Sequence, residues 1–290
     1  MVSTVITSSS ASGSPRTWFV TGASSGIGLA LVRAAARRGD NVVAVARNAS
    51  RLEPLTAECG ARVLTRSADV DDRHRIEAVV AAAMEAYGRI DVVANNAGYG
   101  LFGAVEEATD AQARGIFDTN VHGVLNVLRA TLPVLRAQGS GHILQGSSYY
   151  GQTAHPGVGM LAATKYAVEG LTDALAGELA PLGIAVTLVE PGLTATAFLD
   201  NLDVAPAIGD YDRTVREVQK ALGELPPSAF NHPDRVAAAI LEAVDSGTPP
   251  RRLATGTQAL TEMRTALTQR LAELDAWAHV SRAVDEPQAA

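Results

Sequence analysis

The sequence predicts an α/β fold: one domain built on a doubly wound parallel sheet with helices on both faces. Short apolar segments of strand character alternate with longer segments of helical periodicity along almost the whole chain. Several strand segments are continuous apolar runs, which is typical of parallel strands covered on both faces. A glycine-rich segment joins the first strand to the first helix, as expected where the chain turns tightly out of such a sheet.

Periodicity and helix-ending residues place each predicted element. Residues 76–87 show helical spacing, with Ile76, Val79, Val80 and Ala83 on one face, and Gly39 ends the first helix. The predicted strands span residues 18–20, 42–46, 62–65, 90–94, 142–145 and 184–189, with a short seventh strand near Leu253. The predicted helices span residues 27–38, a stretch between the second and third strands, and residues 76–87, 110–136, 158–180, 234–244 and 259–277.

The predicted domain boundaries come from composition. Residues 1–15 are rich in Ser and Thr and lack a basic start and a continuous apolar core, so we expect a flexible tail rather than a signal peptide. Residues 16–282 form the predicted domain, and residues 283–290 form a C-terminal tail. Residues 198–232 interrupt the alternation with prolines and a glycine around a helical piece, which predicts a substrate lid over the carboxyl edge of the sheet.

Composition argues against several functions. The formal net charge is −7 and the basic residues are dispersed, so we expect no nucleic-acid partner. No apolar run approaches the roughly 20 residues needed to span a bilayer, so we expect no membrane partner and a cytoplasmic protein. Cys59 is the only cysteine and the histidines show no ligand spacing, so neither an intramolecular disulfide nor a metal site is expected.

The glycine-rich junction is the first functional motif. Gly22, Gly26 and Gly28 permit a tight turn and close backbone approach, and the following helix offers its N-terminal N–H groups to a pyrophosphate. Taken alone, such a turn is weak evidence, because a purely structural glycine turn is the alternative explanation. Its spacing, Gly-x3-Gly-x-Gly, differs from the general dinucleotide fingerprint. It is similar to the pattern of the short-chain dehydrogenase/reductase family.

Further segments carry the same resemblance, in order and at the family's spacing, between residues 17 and 200. They are Asp69-Val70, Asn95-Asn96-Ala97-Gly98, Asn120, Ser147-Ser148, and Pro191-Gly192 with Thr196. The C-terminal part, with Pro249-Pro250, a short strand and a helix that carries Trp277, resembles one large subgroup of the family. The resemblance implies a Rossmann-type fold and an NAD(P)-dependent oxidoreductase.

The resemblance also implies where the cofactor would bind. Asp69 and Val70 would contact the adenine, and Thr196 would reach the nicotinamide carboxamide. The other residues implied for the cofactor are Gly22, Ser24, Ser25, Gly26, Ile27, Gly28, Asn95, Ala97, Gly98, Lys165, Pro191 and Gly192. The second strand ends in Ala46, which offers no acceptor to a ribose 2′-hydroxyl, and Arg47, which could pair with a 2′-phosphate. We therefore expect NADP(H) over NAD(H), unless Arg47 merely projects into water.

Catalysis in the family depends on an asparagine, a serine, a tyrosine and a lysine. The tyrosine passes a proton to or from the substrate oxygen, and the serine holds that oxygen. The lysine lowers the phenol pKa and grips the nicotinamide ribose, and the asparagine supports a water chain to the lysine. Asn120, Ser148 and Lys165 match this pattern. Leu161, thirteen residues after Ser148 and four before Lys165, stands at the tyrosine position and has no titratable atom.

Four explanations of Leu161 are open from the sequence. The chain could be an inactive tyrosine-to-leucine variant of an active parent. Another phenol could serve, with Tyr149 or Tyr150 better placed than Tyr166, which is turned about 100° from the lysine on its helix. His155, in the loop before the long helix, could act as the acid. Finally, the chain could bind NADP(H) without ordinary turnover, or act on a substrate that carries its own acidic phenol.

Two hypotheses of function follow. The first is an NADP(H)-dependent oxidoreductase that interconverts a carbonyl and an alcohol by hydride transfer, with a non-standard or disabled proton donor. The second is a catalytically silent NADP(H)-binding protein that acts through a partner. Apolar residues on the lid favour an apolar or polycyclic small-molecule substrate: Phe198, Leu199, Leu202 and Val204. Family members commonly form dimers or tetramers through the long helices, here residues 110–136 and 158–180, so we expect a homodimer or homotetramer.

Overall fold

The computed structural model describes residues 14–198 and 201–285, and a seven-stranded parallel sheet forms the centre of this part of the chain. The strands are β1 Thr17–Thr21, β2 Asn41–Ala46, β3 Val63–Ser67, β4 Val92–Asn95, β5 Leu101–Phe102, β6 Gly141–Gly146, β7 Ile184–Pro191, β8 Asp203–Val204 and β9 Arg252–Thr255. The sheet order is β3-β2-β1-β4-β6-β7-β9, and every pairing is parallel. The order runs outward in both directions from β1, as in a doubly wound sheet. The predicted fold class is confirmed.

Helices cover both faces of this sheet and create two apolar layers. They are α1 Gly26–Arg37, α2 Glu53–Cys59, α3 Arg73–Tyr87, α4 Asp110–Phe117, α5 Gly123–Gln138, α6 Gly159–Leu179, α7 Glu217–Gly223, α8 Pro233–Asp245 and α9 Thr257–Ala283. Trp18 and Val20 of β1 pack with α1 and α8 on one face, and Phe19 packs with α3, α5 and α6 on the other. This alternation follows from the two-residue repeat of a strand.

A third apolar cluster lies at the carboxyl edge of the sheet, where β5, the lid and α9 meet. It contains Phe102, Tyr150, Leu161, Val215 and Met263. The two short strands β5 and β8 pair with each other there as a separate parallel sheet. Two-residue strands carry no readable periodicity, so the sequence did not predict them.

Two predicted helices differ from expectation. The helix expected at residues 110–136 is interrupted by a π turn at Asp118–His122, between α4 and α5. The last helix is longer than predicted and leaves several apolar side chains exposed, among them Leu271, Leu274 and Trp277. Of the predicted tails, residues 1–13 and 286–290 lie outside the described residues. Within the described ranges, no helix is long and apolar enough to cross a membrane.

Candidate active site

The turn between β1 and α1 is shaped by glycines and held by Asn96. Gly22 has a φ of +65°, a backbone conformation that favours glycine. A Cβ on Gly28 would stand 2.3 Å from the carbonyl oxygen of Gly22, so only glycine lets α1 begin this close to the turn. Asn96 Nδ2 donates to the carbonyl oxygen of Thr21 at 3.1 Å. Ser25 makes no side-chain hydrogen bond to cap α1, so the first N–H groups of the helix are open to an anion.

A cavity of about 960 Å³ opens at the carboxyl ends of the central strands and extends from this turn to Ser148 and Lys165. It is lined by nearly all the residues implied for the cofactor: Gly22, Ser24, Ser25, Gly26, Ile27, Arg47, Asp69, Val70, Asn95, Ala97, Gly98, Lys165, Pro191, Gly192 and Thr196. Gly28 is not among the lining residues, because it packs against the backbone of the turn. Ligands in this fold class bind at the carboxyl edge, where the strand order reverses.

Two basic residues lie where the cavity reaches the end of β2. Arg47 follows β2 directly, and Arg51 ends a short 3₁₀ turn that the Asn48 side chain caps. Both arginines and Asn48 line the cavity, as does Asp69 after β3. Ala46 carries no acidic group at the position where one would meet a ribose 2′-hydroxyl. Sequence reasoning missed Arg51 and Asn48, although the spacing of Arg51 from Arg47 was visible.

Asn120 lies in the π turn and is 1% exposed. Its Nδ2 donates to the carbonyl oxygen of Tyr99 at 3.0 Å and to Thr164 Oγ1 at 3.1 Å, while its Oδ1 accepts from the Tyr99 N–H at 3.1 Å. These hydrogen bonds connect the segment after β4 to α6. Asn120 is not among the residues that line the cavity. A Cβ on Gly98 would stand 2.9 Å from Asn120 Oδ1 and 3.8 Å from Lys165 Nζ, so these three residues meet closely.

Lys165 and Leu161 lie one turn apart on α6, as their four-residue spacing predicts. Lys165 Nζ donates to the carbonyl oxygen of Gly146 at 2.9 Å. Burial lowers the pKa of Lys165 to about 8, and the nearby Glu169 carboxylate opposes that shift. Leu161 is 4% exposed and packs in the third apolar cluster. Both residues line the cavity, so its wall is apolar at the position where the resemblance implies a tyrosine.

Ser148 precedes a short 3₁₀ turn that brings two phenols to the cavity. Ser148 Oγ accepts from the Tyr150 N–H at 3.2 Å, which leaves the hydroxyl hydrogen for another acceptor. Tyr149 and Tyr150 are 4% and 6% exposed, and both line the cavity. Their ring centroids are 4.0 Å apart, and the Tyr150 hydroxyl contacts Nε2 of His155. Tyr166, by contrast, is 37% exposed and is not among the lining residues.

A buried acidic pair supports the turn that carries these tyrosines. Ser147 Oγ donates to Glu169 Oε1 at 2.6 Å, and Gln152 Nε2 donates to Glu169 Oε2 at 3.0 Å. Arg252 Nε lies 3.1 Å from the Glu169 carboxylate and 3.9 Å from that of Glu190. Burial, together with the Glu169 charge, raises the pKa of Glu190. Across the described part of the chain, no group of three or more potential metal ligands comes together.

Glu107 connects the lid to the body of the domain. Its carboxylate accepts from the Ile208 N–H at 2.7 Å and forms an ion pair with Arg216. These contacts, the Arg216 hydrogen bond first, lower the pKa of Glu107 to about 2. The Glu107 side chain is therefore charged at neutral pH and holds two separate points of the lid.

The lid contributes some of the expected apolar residues to the cavity. Phe198 and Leu202 line it, and Leu199 lies outside the described residues. Val204 does not line the cavity and is 49% exposed, which corrects the expectation for this residue. Asp203 lines the cavity instead, because successive side chains of β8 face opposite sides.

The fold and the cavity define a dinucleotide-binding α/β protein. The short chain dehydrogenase family profile matches residues 16–206. Oxidoreductase BOA17 of Botryotinia fuckeliana (strain B05.10) is 37% identical over 245 residues, which cover 84% of this chain and 89% of that protein. The chain belongs to the short-chain dehydrogenase family and is an oxidoreductase of the NAD(P)-dependent kind.

Solved structures agree with this assignment. A short-chain dehydrogenase from Streptomyces avermitilis superposes with a TM-score of 0.86 at 37% identity, covering 93% of this chain and 98% of that one. A short chain dehydrogenase/reductase from Burkholderia phymatum, solved in complex with NAD, has a TM-score of 0.77 at 25% identity, covering 86% and 92%. The predicted family is confirmed.

Proposed function

We propose that the protein is an NADP(H)-dependent oxidoreductase that interconverts a carbonyl and an alcohol by hydride transfer, with a proton donor other than residue 161. The observation that carries this proposal is one cavity that reaches from the uncapped N-terminus of α1 to Ser148 and Lys165. Membership of a family of dehydrogenases supports the reaction class.

The residues of the cavity fit a dinucleotide. A Cβ on Gly26 would stand 3.0 Å from the Thr196 side chain, so the cradle between them is too narrow for a larger residue. When bound, the nicotinamide supplies or accepts the hydride. The residues that would hold the cofactor are Gly22, Ser24, Ser25, Gly26 and Ile27 at the pyrophosphate, Asp69 and Val70 at the adenine, and Asn95, Ala97, Gly98, Lys165, Pro191, Gly192 and Thr196 toward the nicotinamide.

The preference for NADP(H) rests on charge at the end of β2. Arg47 and Arg51 both reach the cavity, and Ala46 supplies no carboxylate to accept from a 2′-hydroxyl. A guanidinium makes strong paired hydrogen bonds to a phosphate. Asp69 also lines the cavity, but it follows β3 rather than β2. It therefore does not stand at the end of β2, where an acidic residue would accept from the 2′-hydroxyl.

Two residues would act on the reacting groups. Ser148 Oγ, whose hydrogen is not used by the Tyr150 N–H contact, would donate to the substrate oxygen. Lys165, oriented by the Gly146 carbonyl, would hold the nicotinamide ribose. Since Leu161 cannot titrate, the proton that completes an alcohol must come from another group.

The walls near Ser148 favour an apolar or polycyclic substrate. They are built from the side chains of Phe102, Tyr150, Val158, Leu161, Phe198 and Leu202. Burying apolar surface against such walls contributes about 25 cal/mol per Å². A small hydroxy acid would offer these walls little apolar surface.

A second candidate function is favoured by Leu161 itself. A buried leucine at the donor position is what an NADP(H)-binding protein without turnover, or an inactivated tyrosine-to-leucine variant, would show. Either would still bind NADPH.

We also propose that the protein forms a homodimer or homotetramer through α4, α5 and α6. On α6, Leu171 is 37% exposed, and a Cβ at Gly170 or Gly177 would meet no atom within 4 Å. Such a smooth, partly apolar helix face suits close packing against another subunit.

Calorimetric titration with NADPH and NADH, followed by NADPH oxidation with a panel of bulky ketones and quinones, tests these proposals. We expect NADPH to bind more tightly than NADH and to be oxidised with at least one apolar carbonyl. Tighter NADH binding would remove the cofactor preference. NADPH binding without turnover in either direction would favour the silent protein, and failure of both coenzymes to bind at millimolar concentration would refute both functions.

A further inference from the structure

Tyr150 is a buried phenol in the cavity wall whose hydroxyl contacts an imidazole. It is 6% exposed and packs in the same apolar cluster as Leu161. Tyr150 Oη contacts Nε2 of His155, and the two rings meet edge to face at 5.0 Å between centroids and 81° between planes. The His155 ring is half-buried and is not among the residues that line the cavity. The same side chain therefore lines the cavity and contacts the imidazole.

The carbonyl group of Pro156 fixes the tautomer of His155. His155 Nδ1 lies 3.0 Å from that carbonyl oxygen, which can only accept, so Nδ1 carries a hydrogen. In the neutral imidazole Nε2 is then the acceptor, and the Tyr150 hydroxyl donates to it. When the imidazole is protonated, Nε2 donates to Tyr150 Oη instead, and the phenol hydrogen can turn to the cavity. One proton on His155 thus decides where the Tyr150 hydrogen is directed.

The surroundings of Tyr150 keep its phenol protonated. Burial raises the pKa of Tyr150, and the neighbouring Tyr149 and the Glu262 carboxylate on α9 raise it further. Arg270 on the same helix donates to the backbone carbonyl oxygen of Gln152 at 2.6 Å and so holds the turn. Because a lone phenolate is disfavoured here, Tyr150 can give up its proton only if another group replaces it in the same event.

We propose that Tyr150 and His155 form a proton relay that takes the place of a tyrosine at position 161; this rests on the proposed carbonyl chemistry. In reduction, the carbonyl carbon takes a hydride from NADPH, which is oxidised to NADP⁺. The Tyr150 Oη–H bond breaks as its proton passes to the carbonyl oxygen, and the His155 Nε2–H bond breaks as its proton passes to Tyr150 Oη. The neutral imidazole then takes a proton from solvent. Alcohol oxidation runs these transfers in reverse and leaves the proton on His155.

The relay gives the two directions opposite pH dependences. Each reduction takes up one proton through His155 and each oxidation releases one there, so reduction should slow and oxidation should accelerate as pH rises. No other group in the relay changes charge, since the Tyr150 phenol stays protonated in the resting state.

The hydrogen-bond arrangement can be tested in the protein without any coenzyme. In nitrogen NMR spectra of isotopically labelled protein, neutral His155 should show a protonated Nδ1 and a hydrogen-bonded, unprotonated Nε2. Tyr150→Phe should move the Nε2 resonance and leave Nδ1 nearly in place. A proton on Nε2 in the neutral ring, or an Nε2 resonance that ignores Tyr150→Phe, would overturn the relay whatever the activity of the enzyme.

Kinetics of variants test the transfer itself. Tyr150→Phe should lower kcat for reduction by about 10²-fold, and His155→Gln by about tenfold with a flattened pH profile. The double variant should be no slower than Tyr150→Phe alone, because both residues act along one path. NADPH affinity should stay at the wild-type value in all three proteins, and thermal unfolding of each variant is measured to show that it is folded.

Matched controls come from residues of the same types elsewhere. Tyr87→Phe and His74→Gln should leave kcat unchanged, since Tyr87 ends α3 and is not among the residues that line the cavity, and the His74 side chain is 94% exposed. Undiminished reduction by Tyr150→Phe would overturn the relay and leave the proposed function standing. Absence of NADPH binding by the wild type would instead overturn the proposed function, while the NMR result would still decide the relay geometry.

Discussion

Leu161→Tyr tests where the proton comes from. Leu161 is 4% exposed, lines the cavity and lies one helical turn before Lys165. Side chains four residues apart on a helix have Cβ atoms about 5–6 Å apart. Two unit charges about 6 Å apart attract by about 3 kcal/mol at an effective dielectric constant of about 20. That attraction is enough to lower the pKa of a phenol at position 161 markedly, which is what acid–base work near neutral pH requires.

The size of the gain depends on whether a donor already works. With the Tyr150–His155 relay in place, Leu161→Tyr should raise kcat for carbonyl reduction by less than about tenfold. In a Tyr150→Phe background it should recover about 10²-fold, because the new phenol then supplies the only positioned donor. Single-turnover oxidation of NADPH at saturating carbonyl substrate measures both effects without interference from product release.

Leu161→Phe is the matched control, since it adds a ring without a hydroxyl. Enlarging a packed residue costs about 1–3 kcal/mol, so thermal unfolding of all variants is compared first. A gain of about 10²–10⁴-fold from Leu161→Tyr in the otherwise wild-type protein would refute the relay, because the wild type would then lack any working donor. A gain shared by Leu161→Phe would be an effect of packing.

Three further predictions concern the cofactor, stability and the lid. Arg47→Ala should weaken NADPH binding by about 10- to 100-fold and leave NADH binding unchanged, since hydrogen bonds to charged groups contribute about 1.5–3 kcal/mol; calorimetry with both coenzymes measures this. Burial lowers the pKa of His142 from 6.5 to about 4. On acidification His142 is therefore protonated in the unfolded chain at a higher pH than in the folded protein. The free energy of unfolding should therefore fall by about 3 kcal/mol between about pH 6.5 and pH 4, and urea unfolding of His142→Gln should lack that part. Glu107→Gln should raise the substrate KM more than it lowers kcat and speed proteolysis of the lid, because it weakens the contact with Arg216.

Each of these predictions has an opposing outcome. Equal losses of NADPH and NADH affinity in Arg47→Ala would mean that Arg47 does not meet a 2′-phosphate. If His142→Gln and the wild type lose stability equally on acidification, the loss is caused by carboxyl groups rather than by His142. Unchanged KM and proteolysis in Glu107→Gln would show that the remaining lid contacts suffice.

Much of the fold could be predicted because its signals are local. The residue types in the continuous apolar strands and in the first turn are set by the burial and the backbone conformation at their own positions. Gly22 has a positive φ, and Gly28 packs against a carbonyl oxygen, so the residue type follows from the position. The four-residue spacing of Leu161 and Lys165 likewise predicted their placement one turn apart on α6.

The side-chain contacts at Glu107 and Tyr150 were not predictable, because they join residues through the folded shape. Glu107 and Arg216 are 109 residues apart in the sequence and meet only in the folded chain. Tyr150 and His155 are five residues apart, yet their contact depends on the path of the loop and on the carbonyl of Pro156. Periodicity says nothing about either pair.

Lys165 and His155 have different roles in the proposed function. With leucine at position 161, this lysine has no phenol one turn before it on α6. Burial lowers its pKa to about 8, and the Glu169 carboxylate opposes that shift only in part. Under the proposed function Lys165 holds the nicotinamide ribose, so Lys165→Met should raise the dissociation constant of NADPH and leave the shape of the pH profile of reduction unchanged. His155→Gln should do the reverse, and a lysine variant that alters both would place proton transfer back on α6.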